Sequence, residues 1–413
     1  MVAKQILRHC AKDILVSHSV YRSALVLGLL STVGPFSIDM YLPAMPAIGV
    51  ELGADVATTQ MTLIAFFLAF GMSQLVYGPL ADQVGRKPPI YLGLSIYIVA
   101  TMACALAPTI GWLTAARFVQ GMGAAAVMVM PRAIVRDMHT GAAAARMMAL
   151  IMLVISIAPM LAPLIGTGVL ALGDWRLLFW ILGLVGITAL VLTIWAQPET
   201  LAPENRVRVN LASLWRNAGV LLRDPVFMGL TFVGGFGMAS FFVFIANAAF
   251  VYTGQFGLSS LGFSLAFAVN AIGFFGASQL AGPLGQRFGM VPVMRWAVTG
   301  FAVAACSLLV LCLIGAGSLL VIIALLFLGN AGLGLVIPST MVMALDAHGR
   351  IAGLASSLGG TLQMVTGGVM ISLSGLFFDG TATPMVAAIA FCAVSALVLS
   401  RLVLPRFGAV RSA

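Results

Sequence analysis

Twelve apolar stretches, each long enough to cross a bilayer, decide what this chain can fold into. They run at roughly 23–44, 59–80, 89–107, 112–135, 146–170, 176–196, 226–251, 259–281, 291–314, 318–344, 351–374 and 383–404. About 20 consecutive apolar residues cross the hydrocarbon core as a helix. With no water there, each backbone polar group must find its partner inside the same helix. Barrel strands would be about ten residues of alternating polarity, and these runs are longer and uniformly apolar. The expected fold is therefore all-α integral membrane, with twelve transmembrane helices. Only 8% of the residues are charged, against about 25% in a soluble domain, which excludes a soluble core built around a cofactor.

The net charge of +9 is distributed by topology. With the N-terminus inside, the cytoplasmic segments collect Lys4, Arg8, Lys12, Arg22, Arg86, Lys87, Arg136, Arg146, Arg206, Arg208, Arg216, Arg223, Arg287, Arg295, Arg350, Arg401, Arg406 and Arg411. Arg132 lies near the inner end of its helix. The external loops hold Arg176 alone, beside Glu51, Asp55, Asp174 and Asp379. That asymmetry over an even number of spans places both termini in the cytoplasm, and it needs no nucleic-acid partner. The first 21 residues read as a cytoplasmic tail, and residues 405–413 as another. The five cysteines form no CxxC pair, and four lie in apolar runs where packing is their role.

An arginine lies deep inside the fourth run, apart from Arg132 near its inner end. Arg117 sits in Leu113-Thr-Ala-Ala-Arg-Phe-Val-Gln-Gly-Met-Gly-Ala-Ala125. A charge at a helix centre costs about 2.5–3.5 kcal/mol on insertion scales, so it normally faces a protein interior and has a partner. The acidic residue well inside another span is Asp39, in Ser37-Ile-Asp-Met-Tyr-Leu-Pro-Ala-Met-Pro46. Pro43 and Pro46 interrupt or end that helix. Asp39 and Arg117 each lie about five residues, ~8 Å, below the same surface, and they are expected to pair. A single carboxylate in a cavity is what a proton carrier needs; the alternative is a static ion pair joining spans 1 and 4. Tyr41 and Gln120, on the same two helices, are candidates for the wall of a substrate cavity.

The chain is also a repeat. Gly78-Pro-Leu-Ala-Asp-Gln-Val-Gly-Arg-Lys-Pro88 joins spans 2 and 3, and Gly and Pro predict a tight reversal there. Gly282-Pro-Leu-Gly-Gln-Arg-Phe-Gly289 repeats it between spans 8 and 9, at an offset of 204 residues. A polar linker at 197–225 separates six spans from six more, so the expected units are a bundle at 22–196 and another at 226–404. Duplicated spans around a midplane site are the architecture of secondary transporters. The copies are unequal: Gln286 stands where the first has Asp82, and no intramembrane charge in the second half answers Asp39 or Arg117. Asn247, Asn270, Asn330 and Gln363 are its polar candidates, for cavity lining or for hydrogen bonds between helices. In span 5, Pro159 and Pro163 favour kinks and Gly166 permits close packing.

With these residues assembled, the chain resembles the major facilitator superfamily over essentially its whole length. It looks most like the twelve-span drug:proton antiporters of the bicyclomycin-resistance (Bcr/CflA) group. The loop 78–88 fits the superfamily signature, with Pro79 at a variable position. Leu113, Arg117, Gln120, Gly121, Gly123, Ala124 and Ala125 fill the fixed places of the span 4 proton-transfer motif. Asp39-Met-Tyr-Leu-Pro-Ala-Met-Pro46 is similar to the span 1 ending of the drug-resistance group. The span 5 antiporter motif is matched in part: Ala158, Ala162 and Thr167 stand where the pattern has glycine.

The resemblance implies two pseudo-symmetric six-helix bundles that open alternately to each side. It implies a latch of Gly78, Asp82, Gly85, Arg86 and Asp137, in which Asp82 engages a helix end of the opposite bundle when the inside is closed and Arg86 pairs with Asp137. The function it implies is proton/drug antiport: efflux of small drug-like molecules, such as bicyclomycin or phenicols, by alternating access across a bacterial inner membrane. The expected energy source is the proton gradient, with no cofactor and no metal. The expected partners are a small-molecule substrate and the lipid bilayer, and the transport unit is a monomer. A symporter or facilitator importing a small metabolite is the alternative. A membrane enzyme is disfavoured, since the chain has no HExxH, P-loop or GxSxG and its four histidines lie in the N-terminal tail or at span ends.

Overall fold

The structure, a computed structural model, describes residues 26–139, 141–206, 211–346, 348 and 351–412. The expected N-terminal tail lies outside them. The described residues contain twelve helices long and apolar enough to cross a membrane: Val26–Glu51, Val56–Val84, Lys87–Ala105, Ile110–Met138, Arg146–Leu170, Arg176–Ala196, Pro225–Gln255, Ser260–Phe288, Met290–Leu313, Leu319–Asp346, Ala352–Leu376 and Ala382–Pro405. We number them spans 1 to 12. A linker helix, Leu211–Arg223, lies between spans 6 and 7.

Where the spans begin follows from side chains that take up the orphan amides of a first turn. Asp55 Oδ1 accepts from the Thr58 amide at 2.8 Å, and Thr109 Oγ1 from the Trp112 amide at 3.2 Å. Asp224 and Ser259 cap spans 7 and 8 in the same way. The interior is apolar, and so is much of the exterior. Along span 5, Leu153, Ile157, Leu161 and Ile165 are exposed at helical spacing while Ala158 and Ala162 are buried. An exposed apolar stripe of that length is stable only against lipid.

Three boundaries depart from the sequence reading. Span 1 is interrupted at its prolines, one of the two outcomes expected, and runs on past its expected limit: a 3-10 turn, Leu42–Ala44, carries the chain into a further helix, Met45–Glu51. Span 2 runs as helix through Gly78 and Pro79 to Val84. A proline removes only one donor from a long helix, so the reversal is confined to Gly85, whose φ of 104° excludes most L side chains. Gly289 ends span 8 with φ 83° at the corresponding place, so the repeat extends to backbone conformation. The helix of span 12 continues to Ser412, where a tail was expected.

The helix packing repeats as well. Spans 2 and 4, 3 and 4, and 3 and 6 pack on each other as do spans 8 and 10, 9 and 10, and 9 and 12. The halves meet chiefly along spans 2 and 11 and along spans 5 and 8. This is an all-α membrane fold of two pseudo-symmetric six-helix bundles.

Candidate functional site

We call the end of the molecule carrying Arg86, Lys87, Arg136 and Arg223 the basic end, and the other the far end. Span 2 shows how the halves meet between them. Near the far end, Gln60 Nε2 donates to the Ala246 carbonyl at 3.1 Å and to Asn247 Oδ1 at 3.0 Å, and Asn247 Nδ2 donates to Ser374 Oγ at 3.1 Å. Two turns on, Phe67 stacks on Phe242 with centroids 4.2 Å apart. Then Thr361 Oγ1 donates to the Gly71 carbonyl at 2.7 Å. Beyond that the halves part around a cavity of about 350 Å³, lined by Gln74, Gly78 and Asp82 on one side and Ala352, Gly353 and Ser357 on the other. The far end is sealed, and the basic end holds an opening.

Arg117 lies on span 4, fully buried. Its Nη1 donates to the Ser37 carbonyl at 2.9 Å and to Gln120 Oε1 at 2.7 Å. Gln120 Nε2 donates to Thr101 Oγ1 at 2.8 Å. Ser37 Oγ gives its proton to the Val33 carbonyl, so Tyr97 Oη donates to it, at 2.7 Å. Spans 1, 3 and 4 are thus tied together around one guanidinium. The Tyr41 and Phe66 rings lie 4.6 and 4.5 Å from Arg117 Cζ, contacts worth about 2 kcal/mol when desolvated. Among the described residues Nε and Nη2 have no hydrogen-bond partner, and a buried unsatisfied donor costs about 1–3 kcal/mol.

The expected Asp39–Arg117 pair is not formed. Arg117 takes the main chain of span 1 at Ser37. Asp39, 4% exposed, has no ion-pair or hydrogen-bond partner among the described residues. The reason is azimuth: at about 100° per residue, positions 37 and 39 point to nearly opposite faces of the helix.

The other cavity candidates divide. Tyr41 donates to Thr62 Oγ1 at 2.7 Å beneath Arg117, and Gln120 belongs to the Arg117 network. Asn247 is part of the far-end seal. Asn330 Nδ2 donates to Asn270 Oδ1 at 3.2 Å between spans 10 and 8. Gln363 lines a void of about 40 Å³ between spans 7, 10 and 11. In span 5 the helix is continuous through Pro159 and Pro163. The Pro163 carbonyl accepts from Ser264 Oγ at 3.1 Å, and Thr167 Oγ1 lies 2.8 Å from the same hydroxyl. A Cβ on Gly166 would stand 2.4 Å from the Met40 carbonyl. This stretch therefore sits between the broken end of span 1 and the other half.

At the basic end Arg86, 3% exposed, makes a two-point contact with Asp137, at 2.6 and 3.1 Å, and donates to Asp82 Oδ1 at 2.6 Å. Asp82 therefore binds within its own loop and faces the start of span 11 only across the cavity. Glu199 was not singled out by the sequence reading. Its carboxylate accepts from the Arg86 amide at 2.9 Å and the Lys87 amide at 3.1 Å, and from the Thr200 and Leu201 amides. Thr200 Oγ1 also donates to Asp137 at 3.2 Å. Burial works to raise the Glu199 carboxyl, but the four amides outweigh it and hold it below its ordinary range. No sequence signal marks it, because a polar linker gives no indication of where it folds back.

Comparison with known proteins places this geometry. The family model described as Major Facilitator Superfamily matches residues 27–372. A bicyclomycin resistance protein homolog of Haemophilus influenzae is 31% identical over 377 residues, covering 91% of this chain and 94% of its own. A chloramphenicol resistance protein of Pseudomonas aeruginosa is 31% identical over 362 residues, covering 86% and 85%. In fold, the chain is similar to the human organic anion transporter MFSD10 (TETRAN), with a TM-score of 0.69 at 19% identity over 93% of this chain and 99% of that one.

Proposed function

Because the chain belongs to the major facilitator superfamily, we propose that it exports small drug-like molecules by alternating access, with a proton moving the opposite way through Asp39. The observation that carries this reading is the pairing of a sealed far end with an open basic end around a buried, under-coordinated Arg117. The basic end faces the cytoplasm in this reading, as the charge asymmetry of the loops requires, and the membrane is a bacterial inner one. Substrate reaches the interior from the cytoplasm through the 350 Å³ cavity.

A proton taken up from outside neutralises Asp39, and the protein relaxes toward the arrangement described above, in which Arg117 bonds to the main chain of span 1. Loss of that proton restores a carboxylate on span 1, and a turn of that helix would bring it to the two unused N–H groups of Arg117. Arg117 keeps its charge throughout. A proton shifts a conformational equilibrium only if the two states bind it with different affinity, and pairing in one state alone supplies that difference. The names of the relatives suggest neutral, moderately apolar antibiotics of the bicyclomycin and phenicol kinds. Facilitation without a proton is the second reading; it draws on the Arg117 network, which would hold spans 1, 3 and 4 together with or without proton transfer.

The test is growth of an efflux-deficient bacterium expressing this chain against an antibiotic panel, with Asp39→Asn as matched control. Resistance to a few compounds that vanishes in the variant at equal membrane expression is the expected result. Resistance retained in full by Asp39→Asn would remove the proton-carrier role.

A further inference from the structure

The cavity at the basic end is lined by more basic than acidic side chains. Its lining includes Asp82, Arg86, Arg132 and Arg136. Arg86 is matched by Asp82 and Asp137. Arg132 and Arg136 have no hydrogen-bond or ion-pair partner among the described residues, and both are exposed to the cavity they line. They stand four residues apart on span 4, so both guanidinia lie on one face a turn apart. Arg132 is about six residues, ~9 Å, inside the end of its helix. A cation at membrane depth faces a protein partner or a water-filled cavity, and these two face the cavity.

The opposite wall adds to the same field. Span 11, 25 residues long, begins at Ala352, and among the described residues no side chain caps its first turn. Ala352, Gly353 and Leu354 of that turn line the cavity, with the hydroxyl residues Ser356 and Ser357 beside them. Uncapped amides at the positive end of a long helix attract anions. Two arginines and a helix start therefore face one space, and Asp82, the acidic residue lining it among the described residues, is already engaged by Arg86.

We propose that this cavity binds an oxyanion, the phosphate of an anionic lipid headgroup or free phosphate, between Arg132, Arg136 and the first turn of span 11. The volume of about 350 Å³ accommodates such a group. Guanidinium recognises its geometry through paired N–H donors. The proposal concerns a ligand held beside the entrance of the substrate route, one that need not itself be transported.

Thermal unfolding of the full chain in neutral detergent tests it. Inorganic phosphate is titrated against chloride at equal ionic strength, and phosphatidylglycerol against phosphatidylcholine in a separate series. A ligand that binds the folded state raises the unfolding midpoint with concentration. A rise of several degrees with phosphate identifies a soluble oxyanion; a rise confined to phosphatidylglycerol identifies a lipid headgroup. The rise is expected to disappear in Arg132→Gln/Arg136→Gln and to persist in part in Arg132→Lys/Arg136→Lys. No rise with either ligand in the unmodified chain overturns the proposal, with no dependence on how the variants fold. So does a rise that the glutamine variant retains in full.

Discussion

At Arg117 a planar side chain does work that charge alone would not. One nitrogen serves Ser37 and Gln120 while the plane lies between Tyr41 and Phe66. Lysine keeps the charge but lacks the plane and the fork. Arg117→Lys is therefore expected to reach the membrane and to lose transport roughly tenfold or more, since one charge-assisted hydrogen bond is worth about 1.5–3 kcal/mol. Export assays at matched expression measure this, and wild-type transport would show that charge is sufficient. That Arg117 must be buried with polar partners was readable from sequence, because a charge inside an apolar run needs a reason. Its acceptor was not. Depth can be counted along two helices, but azimuth depends on how each is rotated in the bundle, and that places Ser37 rather than Asp39 against span 4.

Among elements, span 5 and the linker carry the sharpest expectations. Gly166 sits against the main chain of span 1, and a side chain there meets the Met40 carbonyl. Gly166→Val is expected to cost about 1–3 kcal/mol by overpacking and to lower both the unfolding midpoint and transport; an unchanged midpoint would mean the two spans separate freely. The sequence pointed to this glycine by motif but could not supply its neighbour. Glu199 fastens the linker to the loop after span 2. Its folded-state carboxyl lies below the ordinary value near 4.3, so its contribution is complete above that value and is lost as pH falls through the depressed one. Hydrogen exchange at the Arg86, Lys87, Thr200 and Leu201 amides, corrected for intrinsic rate, should accelerate over that acid range. Glu199→Gln should accelerate it at neutral pH; amides indifferent to both changes would leave the linker unfastened.

For the whole molecule, the twelve spans and the two halves were readable because hydrocarbon permits so few backbones, and because a duplication leaves Gly85 and Gly289 in equivalent turns. Which end is shut was not readable, since one sequence must serve both arrangements. The shut far end can be locked. A Cβ on Gly375 would lie 3.6 Å from that of Ala57, within the range of a disulfide. Ala57→Cys/Gly375→Cys is expected to stop transport on oxidation and recover it on reduction. Continued transport by the oxidised protein would mean that this contact does not open in the cycle.

The reading that joins these scales is exchange of drug for proton through Asp39. It is tested most directly in proteoliposomes containing the purified chain and an internal pH indicator, with substrate added on the side of the basic end. Substrate-elicited proton movement opposite to the substrate is expected for the unmodified chain and absent from Asp39→Asn. Substrate flux with no proton movement, or proton movement undiminished in Asp39→Asn, would refute it.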